Sequence, residues 1–560
     1  MNRSTSRSTI VIARSPADLG PGEAAFVENA LPAGPIRTFS SILEEPDLRA
    51  IDERAYASAR SWFAPEPGAD PTIVDGVSLG RAFELRATAI LVLGLRAELV
   101  LRRLAADPGA SSLALRSVGR EWHDAAARLG LEIARSSGPA PDPGMAIPDT
   151  GRRQARMPTR ILAGVVGRGA ARADAIVHVE GASWARAHQR ELSRRWPGAA
   201  VNPNAGLLFG ALRRGRRMPT AFLADLRAVP VPLAPAAAVA GDLPGDLLRR
   251  SFEADAPALA ASARLGRSFG GSVAVTTQDV GPTVRAFLLG FRAAGGGVVT
   301  LEHGISGWYA EQVHTVADVL AAWGPRQAEY HRAAGPPGVV VEAIGWPRLS
   351  EAVASGRRAR EPRRDVVYFG QPSVALSAGS WPEDRLAAHR AVEAYARRRP
   401  GRQVGVKDHP AARAYRAPAP EHAAAVPVRG PSLDGIFDSR VVVQSASTSG
   451  LEAMALGRPV VAIMPRGSLG GPDFLAEGGA AIAVTSEDEL DEALEWLLGD
   501  PREYARRVEA GRALAREFVT SLDDPAAAPA RLVEIVERLR PAAPAQPERP
   551  RALDAPNGDG

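Results

Sequence analysis

Short β-branched runs alternate with Ala-, Arg-, Leu- and Glu-rich stretches of helical length along most of this chain. That alternation restricts the fold more than any other feature, because strands joined through helices close as parallel sheets covered on both faces. Strands are predicted at residues 10–13, 112–115, 175–179, 221–224, 273–276 and 298–301, with helices at 81–104, 122–131 and 283–294 among them. After Gly345-Trp346-Pro347-Arg348 a second series begins. Its strands are predicted at 366–369, 404–406, 441–443, 460–463 and 481–484, and its helices at 384–398, 450–456, 487–498, 502–518 and 530–539. A chain of 560 residues exceeds what one hydrophobic core serves. The reading is α/β: two doubly wound domains facing a cleft, 1–340 and 341–540, with the Pro-Pro-Gly step at 336–338 as hinge. A Pro- and Gly-rich insertion is placed near 136–160, and 541–560 reads as a disordered Pro-rich tail.

Bulk properties exclude several classes. With no cysteine there are no disulfides, cysteine zinc sites or thiol nucleophiles. The net charge is only +5, and the arginines are dispersed without interleaved aromatics, so nucleic acid is not expected as a partner. The pI near 9.9 leaves room for peripheral attraction to an anionic membrane face. The N-terminus lacks an apolar signal core, and no apolar run approaches the ~18 residues needed to span a bilayer. A cytoplasmic protein is expected. No His/Asp/Glu grouping has metal-ligand spacing, so neither metal nor cofactor is expected.

Chemistry concentrates at two strand ends. The only lysine, Lys407, lies in Lys407-Asp408-His409-Pro410 after a short strand. A lysine binds phosphate as a flexible point charge, and strand ends of open α/β sheets bind ligands. The second segment runs over 441–463, VVVQSASTSGLEAMALGRPVVAI. A strand ends at Gln444 and Ser445, then Ser447, Thr448 and Ser449 form a hydroxyl-rich turn, and Gly450 opens a helix carrying Glu452. Helix N-terminal N–H groups and hydroxyls together suit a phosphate, and Glu452 suits ribose hydroxyls. Plain helix capping by the serines is the alternative.

These segments resemble the nucleotide-binding parts of GT-B glycosyltransferases. The branch they look like holds bacterial sialyl and capsule Kdo transferases and CDP-glycerol glycerophosphotransferases. In that branch a His-Pro step and a Ser/Thr pair bind donor phosphate. The resemblance assigns His409 with Pro410 to the first, and Ser447 with Thr448, or Thr448 with Ser449, to the second. Glu302-His303-Gly304 is similar to the branch's His-Gly turn, which implies His303 as acid/base, with Glu302 or Glu311 to orient it. Trp323-Gly324 and Gly345-Trp346-Pro347-Arg348 match two further short motifs, adding Arg348. Gln371, after Phe369-Gly370, and Arg466 in a glycine-rich loop are secondary donor candidates, and Gln278-Asp279 lines the acceptor cleft or caps a helix. The acidic Asp/Glu-Gly base motif of the sialyltransferases has no convincing copy here. The resemblance spans about 270–500. It implies transfer of a sugar from a CMP-, CDP- or UDP-linked donor to a surface polysaccharide or lipid-linked glycan. Polyol-phosphate transfer, sugar-nucleotide 2-epimerisation and non-catalytic nucleotide-sugar or glycan binding remain alternatives.

Overall fold

The computed structural model describes residues 8–13, 19, 23, 25–27, 36–64, 70–107, 110–136, 176–179, 185–196, 198–201, 221–222, 245–267, 269, 271–277, 279–304, 314–355, 361–370, 382–409, 424–445, 447–464 and 473–540. The expected 136–160 insertion, apart from residue 136, and the 541–560 tail lie outside them. Among the described residues there are three parallel sheets and one small hairpin. The α/β class holds, and the first expected domain contains two of the sheets.

The first sheet has the order β3-β2-β1-β6-β7. It is built from β1 (Ser8–Ala13), β2 (Ala25–Val27), β3 (Ile36–Arg37), β6 (Ala110–Arg116) and β7 (Ile133–Ser136). Strands β4 (Ile73–Val74) and β5 (Val77–Ser78) form the antiparallel hairpin. Helices α1 (Phe39–Ile42), α2 (Glu45–Ser61), α3 (Leu79–Ala105) and α4 (Arg120–Arg128) belong to this region. Ser78 caps α3 by accepting from the Arg81 N–H, and α3 is buried along nearly its whole length.

The second sheet runs β10-β9-β8-β11-β12-β13-β14. Its strands are β8 (Ile176–Val179), β9 (Gly198–Val201), β10 (Ala221–Phe222), β11 (Val273–Thr276), β12 (Gly297–Leu301), β13 (Val319–Ala322) and β14 (Val340–Ala343). The central strands are apolar runs buried on both faces, as crossover helices require. Helices α5 (Arg186–Arg195), α6 (Gly245–Arg267), α7 (Pro282–Ala293) and α8 (Pro325–Ala334) accompany it. Helix α6 shares one apolar core with α3, through Phe252, Leu259, Phe83 and Leu91 among others, and so fuses the first two sheets. Because β14 pairs with β13, the second sheet ends at Ala343.

The third sheet runs β17-β16-β15-β18-β19-β20. It contains β15 (Arg364–Phe369), β16 (Val404–Lys407), β17 (Val426–Pro427), β18 (Ser439–Gln444), β19 (Val460–Ile463) and β20 (Ala481–Val484). Its helices are α9 (Pro347–Ala354), α10 (Pro382–Arg398), α11 (Ser432–Phe437), α12 (Thr448–Ala455), α13 (Glu487–Gly499) and α14 (Pro501–Phe518). The last helix, α15 (Ala527–Leu539), leaves this sheet. Its Leu532, Val533, Ile535 and Val536 enter the core of the second sheet beside Ile176, Val273 and Val299. No helix among the described residues is long and apolar enough to cross a membrane.

Candidate active site at two facing sheet edges

In the third sheet, successive strands run one way from β15 through β16 to β17 and the other way from β18 to β20. The order therefore reverses between β15 and β18, and ligands of open α/β sheets bind outside the carboxyl ends of such a strand pair. The β18–α12 turn stands at that point. It differs from expectation in detail: the helix opens at Thr448, two residues before Gly450, and Ser447 is its N-cap. Ser447 Oγ accepts from the Ser449 N–H at 3.2 Å and from the Ser449 hydroxyl at 2.8 Å. Gln444 Oε1 accepts from the Ser447 N–H at 2.5 Å. The Ser447 and Ser449 hydroxyls thus order the turn, which is the capping alternative. Ser445 and Thr448 are half-buried beside them. A Cβ on Gly450 would come within 2.9 Å of Leu475 Cδ1 and 3.2 Å of Gln444 Cγ, so this glycine permits close helix–strand approach. The dipole of α12 directs its positive end at the crevice.

Glu452, expected to meet ribose, is buried and already partnered. Its Oε1 lies 3.6 Å from an Arg348 terminal nitrogen, and that nitrogen donates to Ser432 Oγ at 3.0 Å. Burial raises the Glu452 pKa above the usual carboxylate value, opposed by Arg348 and by a hydrogen bond from Ser432. Two residues taken separately from distant motifs, Arg348 and Glu452, are therefore one cluster.

At the end of β16 the lone lysine donates from Nζ to the Gly430 carbonyl at 2.5 Å. Desolvation lowers its pKa, and Asp434 opposes that. Asp408 turns toward α10 instead, where its Oδ1 lies 3.4 Å from His389 Nε2. Neighbours in a strand point to opposite faces, so the tetrapeptide divides between the two sides of the sheet. His409 is exposed at its surface, yet the surrounding protein lowers its pKa by desolvation. Pro410, Gln371, Arg466, Gln278 and Glu311 lie outside the described residues.

The facing edge belongs to the second sheet, one strand from its own reversal between β8 and β11. Glu302, expected to orient the His303 ring, follows β12, and its carboxylate holds other partners. Oε2 accepts from the Trp323 N–H at 2.7 Å. Oε1 accepts from Gln327 Nε2 at 2.8 Å and lies 3.0 Å from His331 Nε2. Glu302 is 4% exposed and fastens the start of α8. His303 beside it is exposed, while the surrounding protein lowers its pKa by desolvation, opposed by Glu302 and Asp279. Asp279 Oδ2 accepts from Thr315 Oγ1 at 2.8 Å and from the Val316 N–H at 2.7 Å, bracing this edge.

Behind that edge lies a network that sequence reasoning missed. Glu84 of α3 contacts His314 Nδ1 at 3.0 Å and Arg285 at 3.2 Å. Arg285, 1% exposed, also donates to the His314 carbonyl. The visible signal was Arg285 in the first turn of the apolar helix Pro282–Ala293, whose other cation, Arg292, lies in its last turn.

The two edges are joined. Trp323, held by Glu302, stacks on Trp346, two residues before Arg348. The chain returning from α14 passes beside this pair, and the Thr520 N–H donates to the Trp323 carbonyl at 2.9 Å. A Cβ on Gly324 would lie 2.4 Å from the Phe518 carbonyl oxygen, and one on Gly345 2.6 Å from that of Thr520. Gly345 also has φ +105°, a conformation that glycine tolerates. The Trp-Gly and Gly-Trp motifs thus build the junction between the sheets.

No protein-family model and no curated protein matches the chain. Among solved structures it is similar to Anabaena HepE in complex with UDP-glucose, at 13% identity over 65% of this chain and 100% of that one, with a TM-score of 0.41. It is similar to a UDP-N-acetylglucosamine 2-epimerase at 13% identity, covering 65% and 95% of the two chains, with a TM-score of 0.42. A glycosyltransferase from Rickettsia africae matches at 11% identity, 66% and 99% coverage and a TM-score of 0.38.

Proposed function

We propose that this protein is a glycosyltransferase that moves a sugar from a nucleotide-activated donor to a glycan or lipid-linked acceptor. The observation that carries the reading is the tie between two carboxyl edges: Glu302, beside His303, holds Trp323, which stacks on Trp346, which leads to Arg348 and Glu452 at the β18–α12 turn. The donor's phosphates lie at the reversal between β15 and β18. There the α12 N-terminus, Thr448 and Lys407 offset the charge that develops on the leaving nucleotide. Lys407 exchanges the Gly430 carbonyl for phosphate oxygen. His409 contributes from the same strand end. From the edge of the second sheet, neutral His303 takes the proton from the acceptor hydroxyl as the glycosidic bond forms. Its lowered pKa keeps it neutral at physiological pH. Glu302 acts through the fold, fixing the strand end that carries His303. The acceptor is assigned to a surface polysaccharide or its lipid-linked precursor, and the working location to the cytoplasmic side of the membrane.

The test is a thermal-shift screen of the full chain with CMP, CDP, UDP and GDP, followed by product analysis of the matching sugar nucleotide with and without acceptor glycans. One nucleotide is expected to raise Tm, and sugar is expected to leave the donor only when acceptor is present. An epimerised sugar nucleotide formed without acceptor identifies a 2-epimerase instead. Absence of any nucleotide effect overturns the reading.

A further inference from the structure

Arg385 enters the third sheet's carboxyl edge from the first turns of α10 and is 7% exposed. A guanidinium carries five N–H donors and stays charged at any physiological pH. Buried charge is normally paired and hydrogen-bonded. Here, among the described residues, the nearest carboxylate oxygen is Asp408 Oδ1, 4.0 Å from Nη2, which is beyond hydrogen-bond range. Arg385 Nε has no hydrogen-bond partner among the described residues. A second buried polar atom beside it shares this condition: the hydroxyl of Tyr368, a fully buried residue near the end of β15. Burial pushes that hydroxyl well above the usual phenol range, with Arg385 opposing and Asp408 adding, so it stays a neutral donor.

Further polar groups gather at the same strand end. His389, 2% exposed, meets Tyr368 edge-on at 4.9 Å between ring centres. Gly370 follows β15, and a Cβ there would lie 3.0 Å from His389 Nε2 and 3.5 Å from Asp408 Oδ1. The glycine thus lets His389 and Asp408 approach the end of β15 more closely than a side chain there would allow. This cluster adjoins the β15–β18 reversal, on the α10 side of the sheet, where Asp408 and not Lys407 points. Asp408 borders it with a side chain 37% exposed, so water screens its charge, whereas the Arg385 charge is desolvated.

We propose that Arg385, Tyr368 and His389 form a subsite for an anionic group of the bound donor, either a phosphate or a carboxylate carried by its sugar. This rests on the donor-binding reading above. The anion accepts from the guanidinium and the phenol, while Asp408 tunes its affinity by repulsion.

The experiment is calorimetry on the full chain and on Arg385→Gln, Gly370→Ala and Asp408→Asn. The probes are the nucleoside diphosphate or monophosphate that the wild type binds, its neutral-sugar conjugate, its sugar-acid conjugate and inorganic pyrophosphate. Arg385→Gln is expected to lose about tenfold or more in affinity, the size of a charged hydrogen bond. Its Tm without ligand should stay level or rise, since a buried charge whose nearest described carboxylate is 4.0 Å away is removed. Gly370→Ala should weaken binding with Arg385 still in place, and Asp408→Asn should tighten it. Loss shared by every probe identifies a phosphate subsite, and loss confined to the sugar-acid conjugate identifies a carboxylate subsite. Wild-type affinity for all probes in both Arg385→Gln and Gly370→Ala overturns the subsite while leaving the donor reading intact. A wild type that binds no nucleotide overturns the donor reading, and the subsite is then judged on pyrophosphate, where equal binding by wild type and Arg385→Gln rejects it.

Discussion

Trp323 and Trp346 lie face to face, 3.9 Å between ring centres and 6° from parallel, although 22 positions separate them along the chain. Both are almost fully buried, and both sit in the core that Phe518 and Val519 complete. Trp346→Ala should cost about 3–5 kcal/mol of unfolding free energy, as for other buried aromatic truncations. Trp346→Phe should recover much of it. Urea unfolding of the three proteins measures this, and an alanine variant of unchanged stability would show that the stack is incidental.

His303→Ala is expected to reduce turnover on the order of 10²–10⁴-fold, the usual contribution of a positioned base. Nucleotide affinity should change little. A base acts in its neutral form, and the His303 pKa is depressed by desolvation. Turnover should therefore rise with pH through a midpoint below the ordinary imidazole value and stay level above it. A pH profile that is unchanged in the variant removes His303 from proton transfer.

Ser447 separates capping from ligand binding. Removing the cap in Ser447→Ala should cost about 1 kcal/mol. Ser447→Asp preserves an N-cap acceptor, so stability should return. Its negative charge then stands where the donor phosphate binds, so affinity should fall by about tenfold or more. Equal nucleotide affinity in wild type and Ser447→Asp would place the phosphates elsewhere.

Glu452 carries a pH signature. Its folded-state pKa is raised, chiefly by burial, with Arg348 and Ser432 opposing. The folded protein then holds this proton more tightly than the unfolded chain, so the stabilisation is complete at low pH and is lost as pH rises through the folded value. Glu452→Gln removes that loss. The variant should be at least as stable as the parent at pH 8, with its relative advantage shrinking toward pH 4. Denaturation midpoints across that range test it, and an advantage that grows on acidification contradicts the assignment.

Lys407→Ala is expected to weaken donor binding, and Lys407→Arg to restore it poorly, because a planar fork does not take the place of the compact ammonium that leaves the Gly430 carbonyl for phosphate. Calorimetry with the nucleotide chosen by the screen decides this. Full affinity in the alanine variant takes Lys407 off the phosphate.

The strands were the most legible part of the sequence. The Val-rich runs at 298–301 and 441–443 read as buried parallel strands, and they are, because crossover helices force both faces to be apolar. The division of the first half into two sheets was hidden, since β2 and β3 are only three and two residues long and carry no periodicity of their own. At the site, residue type was informative and role was not. A serine before a helix serves a phosphate or a cap equally well. A carboxylate after a strand orients a histidine or fastens a backbone N–H, and the competing partners of Glu302 lie 21 to 29 residues downstream. Arg348 and Glu452 were each visible, but their pairing needs the tertiary fold.

The return of α15 to the second sheet means the polypeptide passes between the lobes twice, outward near Trp346 and back near Thr520. Two neighbouring covalent links permit pivoting about the line that joins them and resist twisting or sliding across it. Any relative motion of the two lobes is thus guided along one path, and a fragment cut after Ala343 would take with it a helix that belongs to the half left behind.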